Sequence, residues 1–337
     1  MSEESPPPEL PLTDDAAFTA LEKGRERVTQ ELAKVVVGQK DVIEQILIAL
    51  LAGGHCLLTG APGLAKTLLV KSVAETFALK FQRIQFTPDL MPADITGTEI
   101  LTETTEGRKL TFVPGPVFTN LLLADEINRT PPKTQAALLE AMQEHQVTAG
   151  GVRHVLEEPF FVLATQNPIE MEGTYPLPEA QLDRFLFNVK IDYLSEEDEV
   201  NVVTRTTARA PTQIEPVFDA AEALAFQKLT QQVPVAEDLV RFAVQLTAAS
   251  RPGQSGTPDF INQWLNWGAG TRAAQALIIG AKARVLWQGR SHVTENDIKA
   301  LAAPVLRHRL LLNYRAEAEG IDADAVVKRL LETVRLS

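Results

Sequence analysis

The chain has 337 residues, 45% hydrophobic and 23% charged, with 32 basic and 44 acidic side chains and a net charge of −12. That composition is globular, and the length suits a large domain with a smaller satellite. No long run of Lys and Arg is present to follow a phosphate backbone, and no apolar run approaches the length of a bilayer span, so nucleic acid and membrane are disfavoured as partners.

Residues 1–15 are rich in Pro, Glu and Ser, without the basic and apolar regions of a secretory signal, and read as a disordered tail. Phe18, Leu21, Val28 and Leu32 recur near helical spacing and predict a helix over 14–34; a second follows from Lys40 to Leu51. After Gly53-Gly54 an apolar strand runs from His55 to Thr59, and a Gly- and Pro-containing turn leads into a helix over 67–77. The lone cysteine, Cys56, lies in that strand and reads as buried filler; it excludes an internal disulfide and fits a reducing, cytoplasmic setting. Further strands are expected at 81–86, 120–124, 160–165 and 185–191, with a helix over 133–145. Strands alternating with helices imply a mainly parallel, three-layer α/β sheet. From Ser195 strand signals vanish, and helices are expected at about 195–207, 218–232, 236–250, 271–288, 295–303 and 322–335. The division is therefore a tail over 1–15, an α/β domain over 16–194 and an all-helical domain over 195–337. The five histidines lack ligand spacing, and Trp264, Trp267 and Trp287 read as core anchors.

Gly60-Ala61-Pro62-Gly63-Leu64-Ala65-Lys66-Thr67, between an apolar strand and a helix start, has the residue types a P-loop needs. Backbone N–H groups at the helix start can wrap phosphates, Lys66 can neutralise them and the Thr67 hydroxyl can hold Mg²⁺. Ala65 replaces the usual glycine before the lysine and is compatible with the loop if its backbone is right-handed. Leu121-Leu122-Leu123-Ala124-Asp125-Glu126 is a strand ending in two carboxylates, with Asp125 suited to the metal side and Glu126 to polarising the attacking water. Asn167, after the strand 160–165, suits either a water-holding amide or an Asn-Pro turn. Arg184 suits either a surface ion pair or a phosphate across a subunit boundary.

In these motifs the chain resembles the MoxR family of AAA+ ATPases. The resemblance runs from about Val36 through Ile191 and more loosely beyond, and includes Val37-Gly38-Gln39, the P-loop with its Ala65, Asp89 to Gly97, Gly115-Pro116-Val117-Phe118, Asp125 to Arg129, Ala164 to Pro168 and Leu177 to Phe185. It implies a P-loop NTPase core with a C-terminal helical lid, and ATP with Mg²⁺ as the bound group. Nucleotide contacts would fall to Val37, Gly38, the loop Gly60 to Thr67 and Leu68, with metal contacts at Thr67 and Asp125. Lys66 and Glu126 would serve catalysis, Asn167 would be sensor 1, Arg184 the arginine finger and Arg272, in Gly268 to Ala273, the sensor 2 arginine. Arg129 suits an interface or a plain surface equally. Two hairpins, at 101–113 and 146–158, would face the pore of a ring, or be ordinary surface hairpins.

The implied function is ATP hydrolysis at the interfaces of a homo-oligomeric, hexameric ring that remodels or activates a protein client, in relatives often through a von Willebrand A domain protein. The alternatives are a nucleic-acid motor, against which the acidic charge speaks, and an ATP-dependent assembly scaffold, against which the complete residue set speaks.

Overall fold

The computed structural model describes residues 14–104, 107–167, 173–208 and 213–335. Helices α1 (Asp14–Val35) and α2 (Lys40–Ala52) precede β1 (Cys56–Thr59), α3 (Lys66–Thr76) and β2 (Phe81–Gln85). A short α4 (Pro92–Thr96) then leads into a hairpin, β3 (Gly97–Thr104) with β4 (Gly107–Pro114). Next come β5 (Leu121–Asp125), α5 (Pro132–Glu144), a second hairpin of β6 (Gln146–Ala149) and β7 (Val152–Val155), β8 (Phe161–Gln166), α6 (Glu179–Leu182) and β9 (Phe187–Lys190). Of the tail expected over 1–15, residues 1–13 lie outside the described residues. Asp14 and Asp15 instead open α1, where two carboxylates suit the positive end of a helix dipole.

Five strands form one parallel sheet in the order β2-β5-β8-β1-β9. Alternation along each strand sorts the side chains onto two faces. Cys56 and Leu58, Leu121 and Leu123, Phe161 and Leu163, and Phe187 and Val189 join one apolar core. Leu57, Leu122, Ala124, Val162 and Ala164 join another, beneath α5. A strand buried on both faces has to be apolar at every position, which is why the central strands read as continuous runs.

The remaining helices are α7 (Glu196–Ala208), α8 (Ala220–Gln232), α9 (Glu237–Ala249), α10 (Asp259–Trp264), α11 (Thr271–Trp287), α12 (Glu295–Leu306), α13 (Tyr314–Ala318) and α14 (Ala323–Thr333). This part is not wholly helical: β10 (Leu265–Trp267) and β11 (Leu311–Leu312) form an antiparallel ribbon. Trp267 stands on that ribbon, 69% exposed, so it is not the core anchor expected of it. Trp287 is buried, and Trp264 packs on Phe260 beneath the Arg329 guanidinium. The first core does not stop at Ser195. Helix α2 packs on α8 and α11, and Ile46 and Leu47 share one cluster with Phe226, Leu277 and Leu301.

Helix α12 begins at an ionic knot. Asp297 is fully buried, accepting hydrogen bonds from the Thr294 N–H (2.9 Å), the Thr294 hydroxyl (2.7 Å), Arg284 (2.5 Å) and Arg290. Burial would raise its carboxyl pKa, but these donors outweigh it and hold the group down at about 2.

The two hairpins lean together. Phe112 of β4 stacks on His154 of β7, with ring centroids 3.8 Å apart. Their outer faces leave Leu101, Leu110, Val152 and Val155 exposed.

Candidate nucleotide site

In a parallel sheet ligands gather at the carboxyl ends of the strands. There the chain places Gly60 after β1, Asp125 and Glu126 at the end of β5, and Asn167 after β8. The register sets Thr59 beside Gln166 and Ala124 beside Ala164, so these turns are neighbours across the sheet. The loop Gly60 to Thr67 then turns into α3, with Pro62, Gly63, Ala65 and Leu68 exposed and Ala61 buried. Gly60 cannot carry a side chain, because a Cβ there would lie 2.4 Å from the Ile191 carbonyl. Gly63, at φ +83°, has nothing within 4 Å of that position.

Val37 and Gly38 arrive at the same place from the other side. The Gly38 Cα faces Leu194 and Asp198, and Gln39 donates to the Asp192 carbonyl at 3.1 Å. The segment 191–194 is thus flanked by the P-loop on one side and by Val37 to Gln39 on the other.

Ala65 overturns one expectation. Its backbone is left-handed, φ 54° and ψ 27°, at the cap of α3. Alternating backbone handedness points successive N–H groups into one concavity, which an anion-cradling loop requires. For a residue with a Cβ that conformation costs about 1–2 kcal/mol. Ala65→Gly is therefore expected to stabilise the protein by about 1 kcal/mol, read as a higher midpoint in urea unfolding; an unchanged or lower midpoint would show that the loop carries no such strain.

Lys66 donates to the Gly60 carbonyl at 2.6 Å. Partial burial lowers its ammonium pKa, opposed by the Asp125 and Glu126 charges. Asp125 accepts from the Thr165 hydroxyl (2.6 Å) and from the Arg83 guanidinium (2.6 and 3.1 Å). Thr165 in turn accepts the Glu126 backbone N–H at 2.8 Å. Glu126 is a non-glycine residue in the left-handed region, φ 58°, the kind of strain that gathers at functional sites. Its carboxylate accepts from Gln85 (2.9 Å) and pairs with Arg129 (3.0 Å). Arg129, for which interface and plain surface were the alternatives, thus lies against Glu126.

Arg83, Gln85 and Thr165 were not singled out in the sequence. For Arg83 and Gln85 the signal was their alternation with Ile84 in a strand expected to be apolar, since polar side chains on one face of an edge strand need partners near its end.

Arg184 and Arg272 are not at this edge. Both line a cleft of about 310 Å³ beside Gly54, His55 and Leu186, at the starting ends of β1 and β9. The Arg184 guanidinium donates to the Leu139 carbonyl of α5 at 2.9 Å, and Arg272 stands 3.6 Å from Asp183. From His55 to Gly60 the chain is extended and spans roughly 16 Å at ~3.3 Å per residue. The chain therefore carries its P-loop at the carboxyl ends of the strands and these two arginines at their starting ends.

Residues 55–187 match the family described as ATPase family associated with various cellular activities (AAA), and residues 261–330 match the AAA lid domain. Chaperone MoxR1 of Mycobacterium tuberculosis is 44% identical over 92% of this chain and 82% of its own length. Protein MoxR of Methylorubrum extorquens is 31% identical over 95% of this chain and 97% of its own. A crystal structure of a putative ATPase from Cytophaga hutchinsonii superposes with a TM-score of 0.88 at 43% identity, covering 96% of this chain and 98% of that one. Likeness of this extent in sequence and fold, over an α/β core with a helical lid and a P-loop at the carboxyl edge of its sheet, establishes that the chain belongs to the MoxR family of AAA+ ATPases.

Proposed function

We propose that the chain hydrolyses ATP at interfaces between identical copies in a hexameric ring and uses the cycle to remodel a protein client. The observation that carries this reading is the separation of charges: Lys66, Asp125 and Glu126 lie at one edge of the sheet, Arg184 and Arg272 at the other. A site that needs both sets is complete only between two copies.

In this reading the unit 16–194 holds the nucleotide and the lid, 195–337, carries Arg272. The loop N–H groups and Lys66 take the phosphates, with Val37, Gly38 and Leu68 around the rest of the nucleotide. Thr67 and Asp125 offer a hydroxyl and a carboxylate, hard oxygen donors of the kind Mg²⁺ takes, so the residues fit that ion. When bound, the ion neutralises phosphate charge. Glu126 takes the proton of the attacking water and Asn167 orients that water. Gln85 and Arg129 hold the Glu126 carboxylate until it is needed.

The client reading rests on the relative named as a chaperone and on the joined hairpins, whose exposed Leu101, Leu110, Val152 and Val155 offer apolar surface to a polypeptide. A von Willebrand A domain protein is the proposed intermediary. The proposed setting is cytoplasmic; among the described residues no helix is long and apolar enough to cross a membrane.

Turnover per subunit is expected to rise with protein concentration as rings form, followed by phosphate release alongside gel filtration. Constant specific activity through the range where single subunits dominate would end the shared-site reading.

A further inference from the structure

We propose that Arg309 and Asp183 are positioning residues that fix Arg184 and Arg272 as one unit, so that both reach the neighbouring nucleotide site together; this rests on the shared-site reading above.

Arg309 closes the turn after α12 and is almost fully buried. Its five N–H groups all have acceptors. Nε donates to the Asp183 carboxylate at 2.7 Å, Nη1 to the carbonyls of Val305 (2.5 Å) and Leu186 (3.3 Å), and Nη2 to those of Asp183 (3.2 Å) and Phe185 (2.8 Å). Four of these five acceptors belong to the segment 183–186, which contains Arg184, and the fifth to lid helix α12. His308 adds a contact to the Phe185 carbonyl at 3.1 Å. The planar fork can satisfy this set because guanidinium donors are fixed in direction, whereas an ammonium offers three donors from one point.

Asp183 divides its carboxylate. One oxygen accepts from buried Arg309, and the other faces Arg272 on α11 at 3.6 Å, with the Arg272 side chain 53% exposed. Asp183 is therefore fixed from the inside and directs Arg272 on the outside. Its chain neighbour Arg184 is tied to α5. Lid and core meet here through charge-assisted hydrogen bonds, which hold geometry more tightly than apolar contact.

A misplacement of the order of 1 Å at a reacting centre costs about 10²-fold in rate. Arg309→Lys keeps the buried charge opposite Asp183 but loses the fork. It is expected to melt below the wild type, because buried acceptors lose their donors, yet, once shown to be folded, to bind a fluorescent ATP analogue with unchanged affinity and to lose about 10²-fold in kcat. Asp183→Asn keeps an acceptor for Arg309 but removes the charge facing both Arg309 and Arg272, and is expected to lower stability and kcat with KM unchanged. The defect should be felt in the neighbour's site, so mixing Arg309→Lys with Lys66→Ala, which has intact arginines but a disabled P-loop, should restore turnover. A mixture of Arg184→Ala with Lys66→Ala serves as the reference. If that reference recovers while folded Arg309→Lys keeps wild-type kcat, loses its own nucleotide affinity or is not rescued by mixing, the positioning role is overturned and the shared site stands. If neither mixture recovers, the shared site falls and this inference with it. Should Arg309→Lys fail to fold, Asp183→Asn carries the test under the same criteria.

Discussion

Replacing Arg184 with alanine is expected to leave ATP binding near the wild-type level and to lower turnover by about 10³- to 10⁵-fold, the worth of an arginine that meets transition-state charge in phosphoryl transfer. The position of Arg184 makes this sharper than a routine active-site substitution. It stands at the starting edge of the sheet, tied to the Leu139 carbonyl, while its own P-loop lies beyond the carboxyl ends of the strands. Its removal takes nothing from its own subunit's nucleotide site. Lys66→Ala should be inactive for the opposite reason, because it removes the ammonium that meets the phosphates and leaves the arginine in place. In the proposed ring, mixing would create interfaces where an intact P-loop meets an intact Arg184, so activity should reappear when the two inactive variants are combined. The measurement is ATP turnover of each variant and of the mixture, with nucleotide affinity measured separately. A mixture that stays inactive while gel filtration shows mixed rings would rule out donation across the boundary.

Glu126→Gln is expected to keep nucleotide affinity and to lose about 10²- to 10⁴-fold in single-turnover rate, the contribution of a general base. The amide can still accept the Gln85 hydrogen bond, so the backbone turn at Glu126 and the Thr165 contact should survive. What is lost is a group able to take a proton. Asp125 differs from Glu126 in that its carboxylate is engaged by Arg83 and Thr165 and is the proposed metal ligand. Wild-type single-turnover rates in Glu126→Gln would move the water-activating role to another residue. Because this variant should hold ATP without consuming it, it is also suited to capturing the client from a lysate.

Much of the fold was legible because its central strands are short, apolar on both faces and bounded by turn residues. Cys56-Leu57-Leu58 and Leu121-Leu122-Leu123 could be placed from their runs, and the P-loop and acidic strand end from the chemistry they require. Shorter elements were not legible. Helix α4 has five residues and the β10 strand three, too few for any period to show. Residue type was equally silent on the Ala65 backbone, since the handedness of a turn is set by what the loop must enclose. Arg309 passed unnoticed because its partner Asp183 lies 126 positions away, and only the closed core brings them together. Arg272 was legible as a residue, but its place on the opposite edge depends on how α11 docks on α2.

The parallel sheet has a mechanical consequence for any closed ring. Strands β1 and β9 begin beside the arginines and end beside the P-loop or the segment that flanks it, and their side chains are buried along most of that length. Close-packed interiors are stiff and transmit displacement with little loss. If the sites are shared as proposed, one subunit would act as a strut whose two ends belong to two different nucleotide sites. In the proposed ring, a displacement of the P-loop on phosphate release would then be expected to reach Arg184 and Arg272 in the next site along, in a direction set by the polarity of the strands.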